Sequence, residues 1–311
     1  MDLKCNLVSS KPPKSKKGIR LGLAQMECPV GTPDAVIENI KRLKKVVKVA
    51  KKEGTQLLSF PELYISGYAL DKKLVRDLAE PINGKVMRGI ARTAKRNRIA
   101  LVVPYPERDS SSGKDIYYDS IALFGSGGKL LDNYRKTHLF GAAEKLNFSP
   151  GAGEFNVVEI NGFPLGVLNC YEAEFPELSR ILALKGAKLI LIPTAADMFY
   201  TLASGETAHV PYPDVSLSLI PARALENHCF VAYCNRCGTE TVRKKSWEFR
   251  GNSIICAPNG TVSIAAAHKR ETLIIADCVP GTYEPTHPEG NYISDRRPEF
   301  YKMLVDVAKA L

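Results

Sequence analysis

The sequence predicts an α/β fold in which two mixed β-sheets pack face to face, with helices outside them. Three observations support this prediction. About a dozen apolar runs have the length of strands, and the first of them alternate with helical patterns. Later runs are joined by tight-turn sequences such as Asn161-Gly162, which indicate hairpins. Helical crossovers together with hairpins imply sheets that contain both parallel and antiparallel strands.

The N-terminal half begins with alternating strands and helices. A strand over residues 18–25 is followed by a helix with Thr32 as N-cap, Pro33 at its first position and Gly54 at its end. The elements predicted next are a strand over 55–60, a helix over 84–97 and a strand over 99–103.

The C-terminal half contains more hairpins. Its predicted elements are strands 117–124 and 129–134, strands 156–160 and 163–168, helix 176–184, strand 187–192, helix 219–226, strand 230–233, a meander of strands 253–256, 261–266 and 272–276, and a last helix over 298–310.

Length and composition fit an ordinary globular protein. The chain has 311 residues, 45% of them hydrophobic and 24% charged, which is enough for a sizeable core. No apolar stretch could span a bilayer, and residues 1–17 lack the apolar centre of a secretory signal. We therefore expect a basic, flexible tail over residues 1–17, a single domain over residues 18–311 and a cytoplasmic location.

The net charge of +10 raises the question of a polyanionic partner. The Lys and Arg residues are dispersed, however, and the dense runs at 41–52 and 92–98 fit the solvated faces of amphipathic helices. No zinc-finger, RNP or helix-turn-helix pattern occurs. We expect neither a nucleic acid nor a membrane as partner.

Three reactive side chains each follow an apolar run: Glu62, Lys136 and Cys170. Cys170 stands at a turn that opens a helix, where backbone N–H groups favour a thiolate. Hydrolysis of an amide needs a nucleophile, a base and an oxyanion donor. Cys170 supplies the first, Glu62 the second, and Lys136 with the N–H of Tyr171 the third. The combination predicts a covalent hydrolase.

Other interpretations remain open on these residues alone. Each of the three residues has a purely structural reading. A Cys–His scheme has His138 or His228 available, and a Ser-His-Asp hydrolase lacks its G-x-S-x-G signature. The pair Cys234 and Cys237 forms a CxxC without the second pair of a zinc site, so we interpret both as structural thiols.

The segments around the three residues resemble those of the nitrilase, or carbon–nitrogen hydrolase, superfamily. The resemblance extends from about Ile19 to Tyr301. The matching motifs are Leu58-Ser59-Phe60-Pro61-Glu62, Tyr134-Arg135-Lys136-Thr137-His138-Leu139 and Asn169-Cys170-Tyr171-Glu172, with Pro193-Thr194-Ala195, Arg223-Ala224-Leu225-Glu226-Asn227 and Asp295-Arg296-Arg297-Pro298-Glu299 further along. This resemblance implies a four-layer αββα sandwich, a Glu-Lys-Cys triad, no cofactor, and assembly through the helical face into a homo-oligomer, a dimer or higher.

The resemblance also assigns residues beyond the triad. Glu144, eight residues past the lysine, matches a second carboxylate that orients the Glu62–Lys136 pair and the substrate. The family usually has Asp two residues after the cysteine, where this chain has Glu172. This departure leaves the shape of the nucleophile loop open.

Within the superfamily the chain is similar to the aliphatic amidase branch, and especially to 5-aminovaleramide-type amidases, which act on short ω-amino amides. Glu172, Glu174 and Asp197 would suit a cationic amine, and Tyr68 and Tyr171 are candidate pocket walls. We therefore expect hydrolysis of a small aliphatic primary amide, for which an ω-amino amide is one candidate, to a carboxylate and ammonia.

Three alternative functions remain. An N-carbamoyl amine amidohydrolase, acting on a substrate such as N-carbamoylputrescine, would use the same triad. Nitrile hydrolysis is a weaker alternative, because the Trp that nitrilases place after the cysteine is Tyr171 here. A non-catalytic binding scaffold with a basic surface belongs to a different class, and the intact set of candidate catalytic residues argues against it.

Overall fold

The computed structural model describes residues 6–9, 18–201, 207–243, 245–267, 269–283, 287 and 289–306. Its helices are α1 (Pro33–Lys52), α2 (Lys72–Leu78), α3 (Lys85–Asn97), α4 (Gly141–Asn147), α5 (Pro176–Leu184), α6 (Val215–Asn227) and α7 (Met303–Asp306). Short 3₁₀ helices cover Cys170–Glu174, Pro280–Thr282 and Pro298–Phe300. Within these described ranges, no helix is both long and apolar enough to cross a bilayer.

The strands, numbered in chain order, form two large mixed sheets and two ribbons. The first sheet has the spatial order β1 (Asn6–Ser9), β17 (Thr272–Cys278), β2 (Ile19–Gln25), β3 (Leu57–Ser59), β4 (Ala100–Asp109), β5 (Ile116–Phe124) and β6 (Leu130–Arg135). The second has the order β16 (Val262–Ala265), β15 (Ile254–Cys256), β12 (Phe230–Asn235), β9 (Leu189–Thr194), β8 (Phe163–Val167) and β7 (Val157–Ile160). The ribbons pair β10 (Phe199–Thr201) with β11 (Thr207–Pro211), and β13 (Cys237–Val242) with β14 (Lys245–Arg250).

The layers follow the order helix, sheet, sheet, helix. One apolar core lies between the sheets and draws on both, with Leu21 and Val102 from the first and Leu165 and Leu191 from the second. The outer face of the first sheet packs against α1 and α3, and that of the second against α5 and α6. The αββα sandwich is confirmed. A single domain over residues 18–311 stays a prediction.

Local signals placed several elements correctly. Thr32 caps α1 by accepting a hydrogen bond from the N–H of Ala35 at 3.0 Å. Asn161 and Gly162 both adopt positive φ, at 54° and 76°, and turn β7 into β8, as a tight hairpin of this type requires.

Residues 6–9 differ from the predicted flexible tail, because they form β1 and pair in parallel with β17. The rest of the predicted tail, residues 1–5 and 10–17, lies outside the described residues. The predicted meander was also wrong for β17. This strand belongs to the first sheet, where it lies between β1 and β2. Its consecutive side chains from Thr272 to Ala276 are all buried, and such two-sided burial favours a position inside a sheet.

Other differences concern short or polar elements. The sequence did not predict α2, α4 or the two ribbons, which lack a clear apolar period. The predicted last helix is interrupted: its described part consists of a 3₁₀ turn at Pro298–Phe300 and the short α7, and residues 307–311 lie outside the described residues.

Candidate active site

The structure brings three of the predicted residues into direct contact. Lys136 follows β6, and its Nζ lies 2.6 Å from Oε1 of Glu62, which follows β3. The same Nζ lies 2.8 Å from the carboxylate of Glu144, on α4. All three side chains are buried. Strand ends of one sheet and the first turn of a helix thus meet at a single ammonium group.

Lys136 is a permanent cation in this environment. Burial opposes its charge, but the carboxylates of Glu144 and Glu62 outweigh burial and raise the pKa of Lys136 well above its ordinary value. Two of its three N–H donors are directed at these carboxylates. The side chain can therefore stabilise an oxyanion, but it cannot serve as the proton acceptor.

Cys170 lies at the start of the 3₁₀ helix, with a left-handed φ of 51° that is costly for a residue with a Cβ. Its half-buried side chain faces a cavity. Burial and the nearby charge of Glu62 raise the pKa of the Cys170 thiol well above its usual range. Burial and Glu62 thus act against the expected thiolate, and the thiol needs a base to become nucleophilic.

Glu144 is fixed by several donors besides Lys136. Its carboxylate accepts hydrogen bonds from the hydroxyl of Tyr68 at 2.7 Å and from the N–H of Phe140 at 2.7 Å. Burial raises its pKa, and Lys136 opposes that rise. This geometry fits the orienting role that the sequence resemblance implies. It also ties Tyr68, a predicted pocket wall, to the catalytic cluster.

Glu172 does not line the cavity, contrary to its expected part in recognising an amine. Its side chain is completely buried and accepts hydrogen bonds from five donors: the Tyr134 hydroxyl, the Thr137 N–H and hydroxyl, and the N–H groups of His138 and Asn169. Two of these residues follow the lysine and one precedes the cysteine. Glu172 therefore ties the lysine loop (residues 136–138) to the nucleophile loop (residues 169–172).

The cavity beside Cys170 has about 430 Å³ of empty space, including its open mouth. Tyr68, Tyr171 and Asp197 line it, as predicted. The remaining lining residues are Phe140, Glu174, Ala195, Ala196, Tyr200, Tyr212 and Tyr233. No sequence pattern marked the last three tyrosines, since they come from separate loops and strands that only the fold brings together.

Aromatic rings and two carboxylates dominate this cavity. The ring of Phe140 lies edge-on to those of Tyr171 and Tyr212, with centroids 5.2 and 5.8 Å apart. The hydroxyl of Tyr212 donates to Glu174. Both Glu174 and Asp197 are half-buried. Aromatic faces combined with carboxylates form a favourable environment for a small organic cation.

An unpredicted buried ion pair supports the loop after Glu62. Arg236 donates to the main-chain carbonyl of Glu62 and pairs with Glu240. Glu240 in turn accepts from the N–H groups of Tyr68 and Ala69, at 2.9 and 2.8 Å. In the sequence analysis Arg236 was noted only as a residue between Cys234 and Cys237. The described cysteines are free thiols.

The carboxylates of Glu62, Asp119 and Glu144 are close enough together to suggest a cation site, since one oxygen of each lies within 4.8 Å of the others. The Nζ of Lys136 lies 2.6, 3.7 and 2.8 Å from these three residues. A cation of the protein itself therefore occupies the position that a metal ion would take. Asp119 was missed at the sequence level because it lies inside a strand rather than at its end.

Neither histidine supports a Cys–His scheme. The ring of His138 lies 4.4 Å from that of Phe175 and is directed towards Glu172 at 4.0 Å. His228 ends α6. Neither lines the cavity that Cys170 faces. Glu62 is consequently the better candidate for the base.

The chain is similar in sequence to known hydrolases. A family model described as carbon-nitrogen hydrolase matches residues 20–288. A Pseudomonas protegens protein named "Hydrolase in pqqF 5'region" is 39% identical over 93% of this chain and 94% of its own length. "Omega-amidase NIT2" of Xenopus tropicalis is 34% identical over 77% of this chain and 82% of its own length.

Solved amidase structures share this fold. An amidase from Nesterenkonia sp. superposes with a TM-score of 0.74 at 27% identity, covering 93% of this chain and 97% of its own. A mutant of an amidase from Nesterenkonia sp. AN1 carries the acetamide moiety of fluoroacetamide bound covalently at its active-site cysteine. That structure covers 94% of this chain and 99% of its own, with a TM-score of 0.73 at 26% identity.

Proposed function

The chain belongs to the carbon–nitrogen hydrolase family, and from this premise we propose that it is an amidase for small aliphatic primary amides with a protonated amine at the far end. One observation carries the proposal: Cys170 lines the same cavity as several tyrosine rings and the carboxylates of Glu174 and Asp197. The names of the omega-amidase and amidase relatives support an amide as substrate.

In the first half of the proposed reaction, Glu62 takes the proton of Cys170 and the thiolate attacks the amide carbon. Lys136 and the N–H of Tyr171 stabilise the oxyanion that develops. Glu62 then returns the proton to the amide nitrogen, ammonia leaves, and the acyl group remains on Cys170 as a thioester. The raised pKa values of Cys170 and Lys136 support this division of roles.

In the second half, Glu62 removes a proton from a water molecule that attacks the thioester. Lys136 again stabilises the oxyanion. Collapse of the tetrahedral intermediate expels the sulfur of Cys170, which regains its proton from Glu62, and the carboxylic acid that forms loses its own proton to solvent to give the carboxylate. Glu144 contacts Lys136 throughout and holds the ammonium group in place.

The far end of the substrate is recognised by charge and by aromatic faces. Glu174 and Asp197 provide two carboxylates in a cavity whose other walls are mostly rings. A protonated amine gains from both interactions, whereas a neutral alkyl chain gains only from apolar contact. This arrangement favours an ω-amino amide over its uncharged analogue.

Ammonia release from 5-aminopentanamide and from pentanamide tests this proposal, because the two amides differ only in the terminal amine. We expect a kcat/KM ratio of at least about tenfold in favour of the amino amide, which corresponds to about 1.4 kcal/mol. The substitution Asp197→Asn is expected to lower that ratio by reducing turnover of the amino amide alone. Equal turnover of both amides would contradict cation recognition.

Release of carbon dioxide with ammonia from N-carbamoylputrescine, without turnover of simple amides, would favour the carbamoyl alternative.

We further propose that the protein assembles as a homo-oligomer. Near the C-terminus Phe300, Met303, Leu304 and Val305 are each exposed by 68% or more, and clustered apolar side chains of this kind mark interaction surfaces. Light scattering after size exclusion should report a dimer or a larger assembly. Leu304→Glu combined with Val305→Glu should reduce the assembled fraction, and a monomeric wild-type protein would refute the proposal.

The cytoplasm remains our proposed compartment. The described cysteines are free thiols, and most of them are buried, which fits a reducing environment. Cell fractionation with an antibody to the native protein would test this location.

A further inference from the structure

Asp119 is a buried carboxylate beside the triad to which the proposed mechanism assigns no role. It lies on β5, is completely shielded from solvent, and its Oδ2 is 3.7 Å from Nζ of Lys136. Neither oxygen of its carboxylate has a hydrogen-bond partner among the described residues, and the same is true of Oε2 of Glu62. One oxygen of each carboxylate lies within 4.8 Å of the other.

Two buried carboxylates this close are strongly disfavoured when both are ionised, and Lys136 donates a hydrogen bond to Glu62 but not to Asp119, from which its Nζ is 3.7 Å away. A single shared proton removes the repulsion and supplies the missing donor. We propose that Asp119 and Glu62 share one proton at neutral pH, and that this proton resides on Asp119, whose O–H donates to Glu62. This inference rests on the proposed role of Glu62 as the base.

The surrounding groups decide where the proton resides. Lys136 is 2.6 Å from Glu62 but 3.7 Å from Asp119, so it stabilises a charge on Glu62 more strongly. Glu144 already accepts from Lys136, Tyr68 and Phe140, which suits its ionised form. Burial, followed by the charge of Glu62, raises the pKa of Asp119 well above its usual value, and Lys136 only partly opposes this rise.

Asp119 is thus a positioning residue that acts through Glu62. Its donated hydrogen bond satisfies the otherwise unpaired Oε2 of Glu62 and orients that side chain, as a base for Cys170 must be oriented. It also leaves Lys136 with only two short carboxylate contacts, so the third N–H of the ammonium group remains available for the substrate oxyanion.

Infrared spectroscopy tests the shared proton without any substrate. At neutral pH the wild-type protein should show the carbonyl band of a buried protonated carboxyl group, and Asp119→Asn should remove it. Glu177→Gln is the matched control, since it removes an exposed carboxylate and should leave the band in place. Absence of the band in the wild type, or its persistence in Asp119→Asn, would overturn the proposal.

A second test follows the rate at which iodoacetamide alkylates Cys170, read by mass spectrometry. Asp119→Ala should slow alkylation at least about tenfold, because Glu62 loses the donor that orients it as a base, and Asp119→Asn should recover most of that loss because its amide still donates to Glu62. Equal slowing by both variants would contradict the proposal. Neither test requires amide turnover, so a protein that passes both but hydrolyses no amide would refute the proposed function alone.

Discussion

At the residue scale, Cys170 and Lys136, the two reactive groups beside Glu62, differ in how far burial controls their pKa values. Burial raises the pKa of the Cys170 thiol, which favours its protonated form. At Lys136 the neighbouring carboxylates outweigh burial and raise the pKa, which favours the charged form. This contrast supports our proposal that Glu62 is the group that moves the proton. The chemistry of the site follows from this contrast.

Replacing Glu62 by Gln tests that role directly. The amide has almost the same shape but cannot accept the thiol proton, so kcat/KM for amide hydrolysis should fall by about 10²–10⁴-fold. Steady-state ammonia release provides the measurement, and Glu177→Gln is the control on the surface of α5. A loss of less than threefold would show that another group is the base.

The buried Glu172 is expected to matter for alignment rather than for substrate binding. In Glu172→Gln an NH₂ group would face backbone N–H donors of the two loops, so the free energy of unfolding should fall by about 1–3 kcal/mol. We expect kcat to fall while KM changes little, because the cavity wall is untouched. A change confined to KM would instead place Glu172 at the substrate.

Asp119 should also make stability depend on pH. Its pKa is higher in the folded state than its ordinary value of 3.8, so the native protein binds more protons than the unfolded chain, and stability falls as pH rises from about 4 towards the folded value. Asn does not titrate. Asp119→Asn should therefore raise Tm by a few degrees at pH 7, with a smaller gain at pH 4. Thermal unfolding at both pH values checks this, and a gain independent of pH would contradict it.

At the element scale, turns and helix ends hold the reactive groups. Arg223, on α6, donates to the carbonyl oxygens of Ala173 and Glu174 at 3.0 Å each. It thereby fixes the end of the 3₁₀ helix that begins at Cys170. The presence of Arg223 in its sequence motif is thus explained by the hydrogen bonds that hold this 3₁₀ helix.

Gly151 allows a close approach behind the lysine loop. Its N–H donates to the carbonyl of Lys136 at 2.8 Å, and a Cβ at this position would lie 2.2 Å from the carbonyl oxygen of Arg135. Gly151→Ala should therefore displace the loop, lower stability by about 1–3 kcal/mol and reduce kcat. Gly127→Ala is the matched control, because nothing lies within 4 Å of its Cβ position. Equal effects of the two substitutions on kcat would contradict this explanation.

At the scale of the whole molecule, two sheets share a core, and β1 completes an edge. Because β1 covers β17, deleting residues 1–10 would expose the edge of a strand with apolar residues on both faces. We expect a lower Tm and aggregation that increases with concentration, while kcat stays unchanged. Scattering and activity measured together on the truncated protein check this, and unchanged aggregation would mean that β1 does not protect the edge.

The sequence by itself determined the layered α/β architecture, most of the helices and the identities of Glu62, Lys136 and Cys170. These features depend on local signals: apolar periods, the Thr32 cap, the Asn161-Gly162 turn and short motifs that resemble those of the family. Local patterns report which residues are buried and where strands end. They were sufficient for the fold class and for the candidate triad.

Only the tertiary structure decided the path of β17, the burial of Glu172 and the place of Asp119 beside Glu62. Each of these depends on contacts between residues far apart in the chain, and no periodicity encodes them. The protonation of Cys170 depends in the same way on burial and on Glu62, because both are properties of the packed site. Sequence signals select the reactive groups, whereas three-dimensional packing sets their charges and their partners.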